Sequence, residues 1–219
     1  LCFSSPFSDL AVIELQKLNC PAYKVASLEI NNIPLLKVIA KTKKPVVIST
    51  GGASITEIKK AVEIFKRNKS VALLKCTVNY PAKLSDSNLL TIKDLKKRFK
   101  NCEIGFSDHT QWLETPLAAS ALGAKVIEKH FTFNKNMYGS DSAHAMNPDQ
   151  FKLFTKEVFS AWEMIKNPVN KDEISNYRKM RNVFQKNIFI KKFIPKDSKI
   201  KFAHLEFKKP GDGISASRY

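Results

Sequence analysis

His109 and His130 are two of only four histidines in the chain. Each stands at the end of a short, apolar, β-branched run, 103–107 for the first and 125–131 for the second. If the two runs are neighbouring strands, they lie about 4.8 Å apart and their imidazoles can converge on one divalent ion. Two imidazoles with waters and a carboxylate suit manganese, zinc or cobalt better than calcium. The other reading is two buried, hydrogen-bonded histidines with no ion between them. Lys24 lies inside another such run, between Tyr23 and Val25. An inward ammonium there must meet an anion, because an unpaired buried charge is expensive. A structural pair with Glu29 or Asp108 would satisfy it, and so would a bound phosphate or carboxylate. Ser27, Ser49 and Ser107 add neutral donors from three different runs, and hydroxyls around one lysine make a phosphate cradle. Blander readings stand beside these. Ser49-Thr50-Gly51-Gly52 also reads as an ordinary strand-to-helix turn, Tyr80-Pro81 as packing at a loop start, and Asp141 as a solvated loop carboxylate.

These residues need elements to hold them. Strand-like runs fall at 1–4, 22–27, 45–50, 71–77, 103–107 and 125–131, with starts roughly 20–26 residues apart, the length of one strand, one helix and two short loops. Helical periodicity fills the gaps, through Ala11, Leu15 and Leu18; Leu35, Leu36 and Ile39; Ile58, Val62 and Phe65; Leu89, Ile92 and Leu95; Leu117, Ala121 and Leu122. Asn147-Pro148 opens a further helix, with Asn147 as its cap. Alternating strands and helices mean an α/β fold with a parallel sheet, and strands without polar alternation mean that both faces are covered. An open doubly wound sheet and a (β/α)8 barrel both fit. The first strand is followed by no glycine-rich phosphate loop, which disfavours dinucleotide binding. A barrel needs eight βα units and about six are present. The chain opens on Leu1 inside a strand pattern, so two units are expected ahead of it. In such folds the site lies at the C-terminal ends of the strands, where the polar residues above concentrate. The expected domains are a partial barrel over 1–166, a charged linker over 167–186, and an incomplete small β-rich domain over 187–219.

The chain has 219 residues, 43% hydrophobic and 26% charged, which excludes a disordered or disulfide-stapled class. No apolar run approaches the roughly 20 residues of a membrane span, and no signal-peptide pattern opens the chain. The net charge of +17 invites a polyanion-binding reading. Only five of the 37 basic residues are arginine, however, and Lys59, Lys60, Lys66 and Lys69 fall on the polar side of one helix. Solvated lysine faces, no nucleic acid and no membrane are the expectation, with a basic polyanion-binding module as the alternative. Cys2, Cys20, Cys76 and Cys102 have no metal-finger or redox spacing and read as reduced, cytoplasmic thiols.

The segments 23–29 (YKVASLE), 49–52 (STGG), 76–81 (CTVNYP), 105–110 (GFSDHT) and 128–132 (EKHFT) resemble, in order and spacing, the sialic acid synthase family, which includes the N-acetylneuraminate, legionaminic and pseudaminic acid synthases. The likeness covers residues 1 to 166, and the tail around Lys209 resembles the first half of that family's antifreeze-like (SAF) domain. The resemblance implies a (β/α)8 barrel that condenses phosphoenolpyruvate with an N-acyl-mannosamine-type sugar, giving a nonulosonic acid and phosphate. It implies His109 and His130 as metal ligands, for manganese first and magnesium or cobalt otherwise, the ion polarising the sugar aldehyde. It implies Lys24, Ser27, Ser49 and Ser107 as phosphoenolpyruvate ligands, with Ser5 beside them. Glu29 is implied in proton handling or sugar orientation, Asp141 and Tyr80 in sugar contacts, and a homodimer in the full-length protein. N-acetylneuraminate is the first expectation for the product, with pseudaminic or legionaminic acid as alternatives.

Departures from the family pattern bear on these implications. The family's first two strands, with a catalytic glutamate and a further phosphoenolpyruvate-binding lysine, have no counterpart here, so the chain by itself is expected to be inactive. Ser5 replaces a common threonine, and Val78 a common polar residue. Lys209 stands where relatives carry an arginine that reaches the partner's site, keeping the charge without the bidentate fork. The loop 139–144 lacks a Pro-Asp-His form found in one branch, which leaves the sugar open. A rival enzyme reading is a Schiff-base aldolase acting through Lys24 or Lys129.

Overall fold

Helix and strand signals alternate through the first two thirds of the sequence, and the elements follow them. The computed structural model describes residues 1–209 and 213–219. It divides into two units, Leu1–Asn167 and Pro168–Tyr219. The first contains α1 (Asp9–Lys17), β1 (Tyr23–Val25), α2 (Ile33–Lys41), β2 (Val46–Ser49), α3 (Ile55–Ile64), β3 (Val71–Cys76), α4 (Thr91–Arg98), β4 (Glu103–Asp108), α5 (Glu114–Ala121), β5 (Ile127–Lys129) and α6 (Pro148–Lys166). Local chemistry sets the ends of several helices. Ser54 and Glu57 form a reciprocal capping box on α3, and Asn147 and Gln150 do the same on α6, with Pro148 at its first turn.

The five strands form one parallel sheet in the order β1-β2-β3-β4-β5. The expected strand over 1–4 is reduced to a single bridge between Ser4 and Tyr23. Leu1, Cys2 and Phe3 are exposed, and apolar character alone does not make a strand without a neighbour to cover it. One face of the sheet packs on the helices. Tyr23, Val25, Val46, Ile48, Leu73, Ile104 and Phe106 meet Leu36, Ile39, Ile58, Phe65, Ile92 and Leu95 there, all nearly inaccessible. This core holds the strands and so places whatever stands on the opposite face.

Register assigns that opposite face. Lys24 pairs with Val47, Ser49 with Leu74, Cys76 with Ser107, and Ser107 with Glu128. Strand alternation therefore puts Lys24, Ser49, Cys76, Ser107 and Glu128 on one side. Lys24 and Glu128 belong to the first and last strands, four spacings apart, or roughly 19 Å along a flat sheet. Their side chains nonetheless meet at 3.3 Å. The sheet is thus curved, with the polar face concave.

The second unit contains α7 (Arg178–Phe184), β6 (Asn187–Ile190), β7 (Leu205–Lys208) and β8 (Ile214–Ser215). Its strands form an antiparallel sheet in the order β7-β6-β8. Phe202, Phe207 and Tyr219 cluster within it, Tyr219 edge-on to both phenylalanines and the two phenylalanines tilted to each other. Helix α7 lies inside the 167–186 segment expected as a linker. Lys209 is exposed with its ammonium over the Phe184 ring. The rest of the sequence motif that carried it, Pro210-Gly211-Asp212, lies outside the described residues.

Gly105 shows how tightly the concave side is packed. A Cβ there would run into the Val126 carbonyl oxygen and stand 2.5 Å from Leu74 Cδ2. Glycine to alanine inside a strand ordinarily stabilises. Here Gly105→Ala is expected to cost about 1–3 kcal/mol, as overpacked cores do. Urea unfolding measures it, and a gain in stability would contradict the packing described.

Candidate functional site

The concave face gathers most of the polar residues named from sequence. Lys24 points inward, with a side chain 13% exposed, and its ammonium meets Glu128 Oε1. Neither carboxylate proposed for it, Glu29 or Asp108, is its partner. Asp108 alternates to the helix side of β4 and binds Lys129 instead. Glu29, in the turn Ser27–Glu29 after β1, accepts from Asn32 Nδ2 at 2.8 Å. Glu128 stands in the 128–132 segment singled out from sequence, which gave it no role at the site. It also accepts a 2.6 Å hydrogen bond from Ser107 Oγ. The signal available was its position two residues before His130 in a strand, which sets both on the same face.

Around Lys24 the hydroxyls behave differently from one another. Ser49 Oγ, on the adjacent strand and the same face, is buried without a hydrogen-bond partner among the described residues. Such an orphan is uncommon in a folded protein and asks for a ligand or water. Ser27 Oγ accepts from the Gly51 amide at 3.1 Å, which leaves its own proton free to donate. Gly51 has no room for a side chain, since a Cβ would stand 2.9 Å from Ser27 Oγ and also meet the Val78 side chain. Ser5 is half-buried beside the Ser4 bridge onto β1.

His109 and His130 come together as their spacing suggested. Their ring centroids are 5.1 Å apart at an interplanar angle of 79°. Nδ1 of His109 lies 2.7 Å from the Thr77 carbonyl, which can only accept, so Nδ1 carries the proton. Nδ1 of His130 lies 3.2 Å from Asp141 Oδ2 in the same relation. Among the described residues neither Nε2 has a hydrogen-bond partner, so both lone pairs are available. Tyr80 covers His109 with centroids 4.1 Å apart and stands 5.7 Å from His130. Asp108, Thr110, Lys129, Asp141 and His144 line the small pocket beside the two rings. Burial lowers the pKa of His109, opposed by the bond to Thr77 and the nearby carboxylates. Burial likewise lowers that of His130, opposed by Asp141. Neutral imidazoles with oriented Nδ1–H groups are the form that ligates metals. No group of three or more ligating side chains converges on one point among the described residues. The protein thus offers a two-nitrogen set, which fits an ion whose other positions belong to water or substrate.

Lys129 is committed elsewhere. Its ammonium binds Asp108 Oδ2 at 2.7 Å and the Thr110 carbonyl, with a side chain only 2% exposed. Lys59, Lys60, Lys66 and Lys69 are exposed. Lys209 lies in the second unit. No helix among the described residues is long and apolar enough to cross a membrane.

The model of the NeuB family matches residues 1–170. The N,N'-diacetyllegionaminic acid synthase of Campylobacter jejuni is 37% identical over 99% of this chain and 65% of its own length. The pseudaminic acid synthase of the same organism is 37% identical over 100% of this chain and 64% of its own. The crystal structure of N-acetylneuraminic acid (sialic acid) synthetase from Leptospira borgpetersenii superposes with a TM-score of 0.74 at 33% identity, covering 82% of this chain and 64% of that one. The chain therefore spans less than two thirds of the length of these relatives.

The lowered histidine pKa values have a signed consequence. Each folded value lies below the ordinary 6.5. The stability linked to the neutral rings is complete above that value and is lost as pH falls through the folded ones. The thermal midpoint of the metal-free chain is expected to fall as the pH drops below 6.5. A His109→Gln/His130→Gln variant should lack that part of the decline. Superimposable pH profiles for the two proteins would count against buried, neutral imidazoles.

Proposed function

The chain belongs to the NeuB family, and on that premise we propose that it carries the site of a nonulosonic acid synthase. The reaction is condensation of phosphoenolpyruvate with an N-acylated mannosamine-type sugar. C3 of phosphoenolpyruvate forms the new bond to the aldehyde carbon, whose oxygen takes up a proton. Water adds at C2 and phosphate departs, leaving a nine-carbon keto acid. The architecture proposed with it is part of a (β/α)8 barrel over 1–166 followed by an incomplete antifreeze-like domain over 187–219, cytoplasmic, and in the full-length protein a homodimer whose Lys209 reaches the partner's site.

The observation that carries this reading is the buried, partnerless Ser49 hydroxyl on the same concave face as the inward Lys24 ammonium. A polyanion fits that combination. Lys24 supplies charge, Ser49, Ser27 and Ser107 supply donors, and Ser5 extends the cradle. Such a cradle holds phosphoenolpyruvate and stabilises the charge on its departing phosphate. Glu128 competes with the anion for both Lys24 and the Ser107 hydroxyl, so binding frees its carboxylate to orient the sugar or move a proton. Glu29 has the same chemistry at the turn after β1, and Asp141 and Tyr80 stand where the sugar would meet the imidazoles. Nε2 of His109 and of His130 would hold a divalent ion, manganese by preference, magnesium or cobalt otherwise, and the bound ion supplies Lewis acidity at the sugar aldehyde. Several relatives that match along nearly the whole chain are named legionaminic and pseudaminic acid synthases. That favours those products over N-acetylneuraminate.

Five strands leave the ring of strands open, so the 219 residues alone are expected to bind phosphoenolpyruvate without turning it over. Calorimetric titration of phosphoenolpyruvate is the test. Lys24→Met should weaken binding at least tenfold, equivalent to about 1.4 kcal/mol, and Ser49→Ala severalfold. Glu128→Gln, which removes the competing carboxylate, should bind as tightly as the parent or tighter. Unchanged affinity in Lys24→Met would end the reading.

A further inference from the structure

Asp108 and Lys129 lie on the helix side of β4 and β5, where the register pairs them directly, and both also border the small pocket beside the two imidazoles. Their side chains are 0% and 2% exposed and meet at 2.7 Å. Each is adjacent in sequence to one of the two imidazoles, Asp108 to His109 and Lys129 to His130.

The network around the pair encloses the His109 backbone. Asp108 Oδ1 accepts from the Thr110 amide at 2.8 Å, an Asx turn that spans residue 109. Asp108 Oδ2 accepts from Thr115 Oγ1 at 3.0 Å and from Lys129. Lys129 also donates to the Thr110 carbonyl. Thr110 and Thr115 hydroxyls are joined at 2.7 Å. The ammonium next to His130 is therefore bonded to residues on both sides of His109. Moving one imidazole along its strand relative to the other would break these bonds between almost fully buried groups, which is costly.

We propose that Asp108 and Lys129 are positioning residues, a buried ion pair that fixes the separation and mutual orientation of the His109 and His130 rings. As a statement about metal binding it rests on the reading of those rings as the ligand pair; as a statement about ring geometry it stands on the hydrogen bonds alone.

The test separates position from stability. Lys129→Met leaves a buried carboxylate without its cation, so it should lower the thermal midpoint and weaken Co2+ binding 10–100-fold, the usual loss when a ligand's support is removed. Lys129→Met/Asp108→Asn removes both charges while keeping an acceptor for the Thr110 amide. Its midpoint should recover most of the loss, yet Co2+ affinity should stay at least tenfold weak and the nuclear Overhauser contact between the two rings should disappear. A folded double variant that keeps the ring contact or parental Co2+ affinity overturns the proposal. If neither charge variant folds, Thr115→Val decides it, since it deletes one donor to Asp108 and strands no charge. A severalfold loss of affinity or a weakened ring contact at an unchanged midpoint supports positioning, and parental values for both refute it. A parent chain that takes up no Co2+ sinks the metal reading alone, and the ring contact then decides the positioning.

Discussion

A single ion pair explains why this sheet can have a site at all. Lys24 and Glu128 stand on the two outermost strands, and in a flat sheet they could not touch. Their contact requires the strands to curve until the polar face becomes a hollow. Curvature follows from how the two faces are filled. The helix side is crowded with Tyr23, Ile48, Leu73 and Phe106 and their helical partners. The inner side is filled by smaller groups, among them Ser49, Ala72, Gly105 and Ser107, which let the strands draw together. Large outside and small inside is the arrangement a closing sheet needs.

The hollow also changes what its residues are worth. The ammonium of Lys24 and the two imidazoles are partly buried in a curved wall, so their interactions with one another and with the half-exposed Glu128 carboxylate exceed those of the same groups on an open surface. The exposed lysines that produce most of the net charge of +17 sit in high dielectric and are screened within about 10 Å at ordinary ionic strength. Composition alone weights all these cations equally. Burial singles out Lys24, Lys75 and Lys129.

Much of this was legible in the sequence, and what was not has a consistent cause. The strands β1 to β5, their parallel order and the inward Lys24 follow from local patterns, because β-branched runs and helical periodicity are properties of neighbours in the chain. The meeting of His109 and His130 was legible for a related reason, since consecutive strands in an α/β unit are neighbours in space. The partner of Lys24 was not, because it depends on register and curvature across the whole sheet. Glu29 and Asp108 were near in sequence or motif, whereas Glu128 is near only after four strands have been laid side by side. The expected strand over 1–4 failed where one bridge at Ser4 is all the pairing it obtains. Helix α7 was missed inside a segment whose charged composition resembled a linker, although Met180, Val183 and Phe184 carry a helical spacing.

Two ion pairs built from the same strand, β5, show how one sheet can both hold a shape and release a ligand site. Lys129 faces the helices and its pair with Asp108 is dry, short and supported by two threonines and a backbone carbonyl. Exchanging either partner for another ion would mean leaving a charge uncompensated in a site without solvent. Glu128, one residue earlier, faces the hollow. Its side chain is 37% exposed, and its bond to Lys24 is longer, at 3.3 Å. Water can take over the carboxylate as an incoming anion takes over the ammonium, so that pair can open at modest cost. Alternation along a strand therefore sorts charges by exchangeability as well as by direction. The pair on the packed side works as scaffold, the pair on the open side as a binding group held in reserve, and the imidazoles stand where the two roles meet.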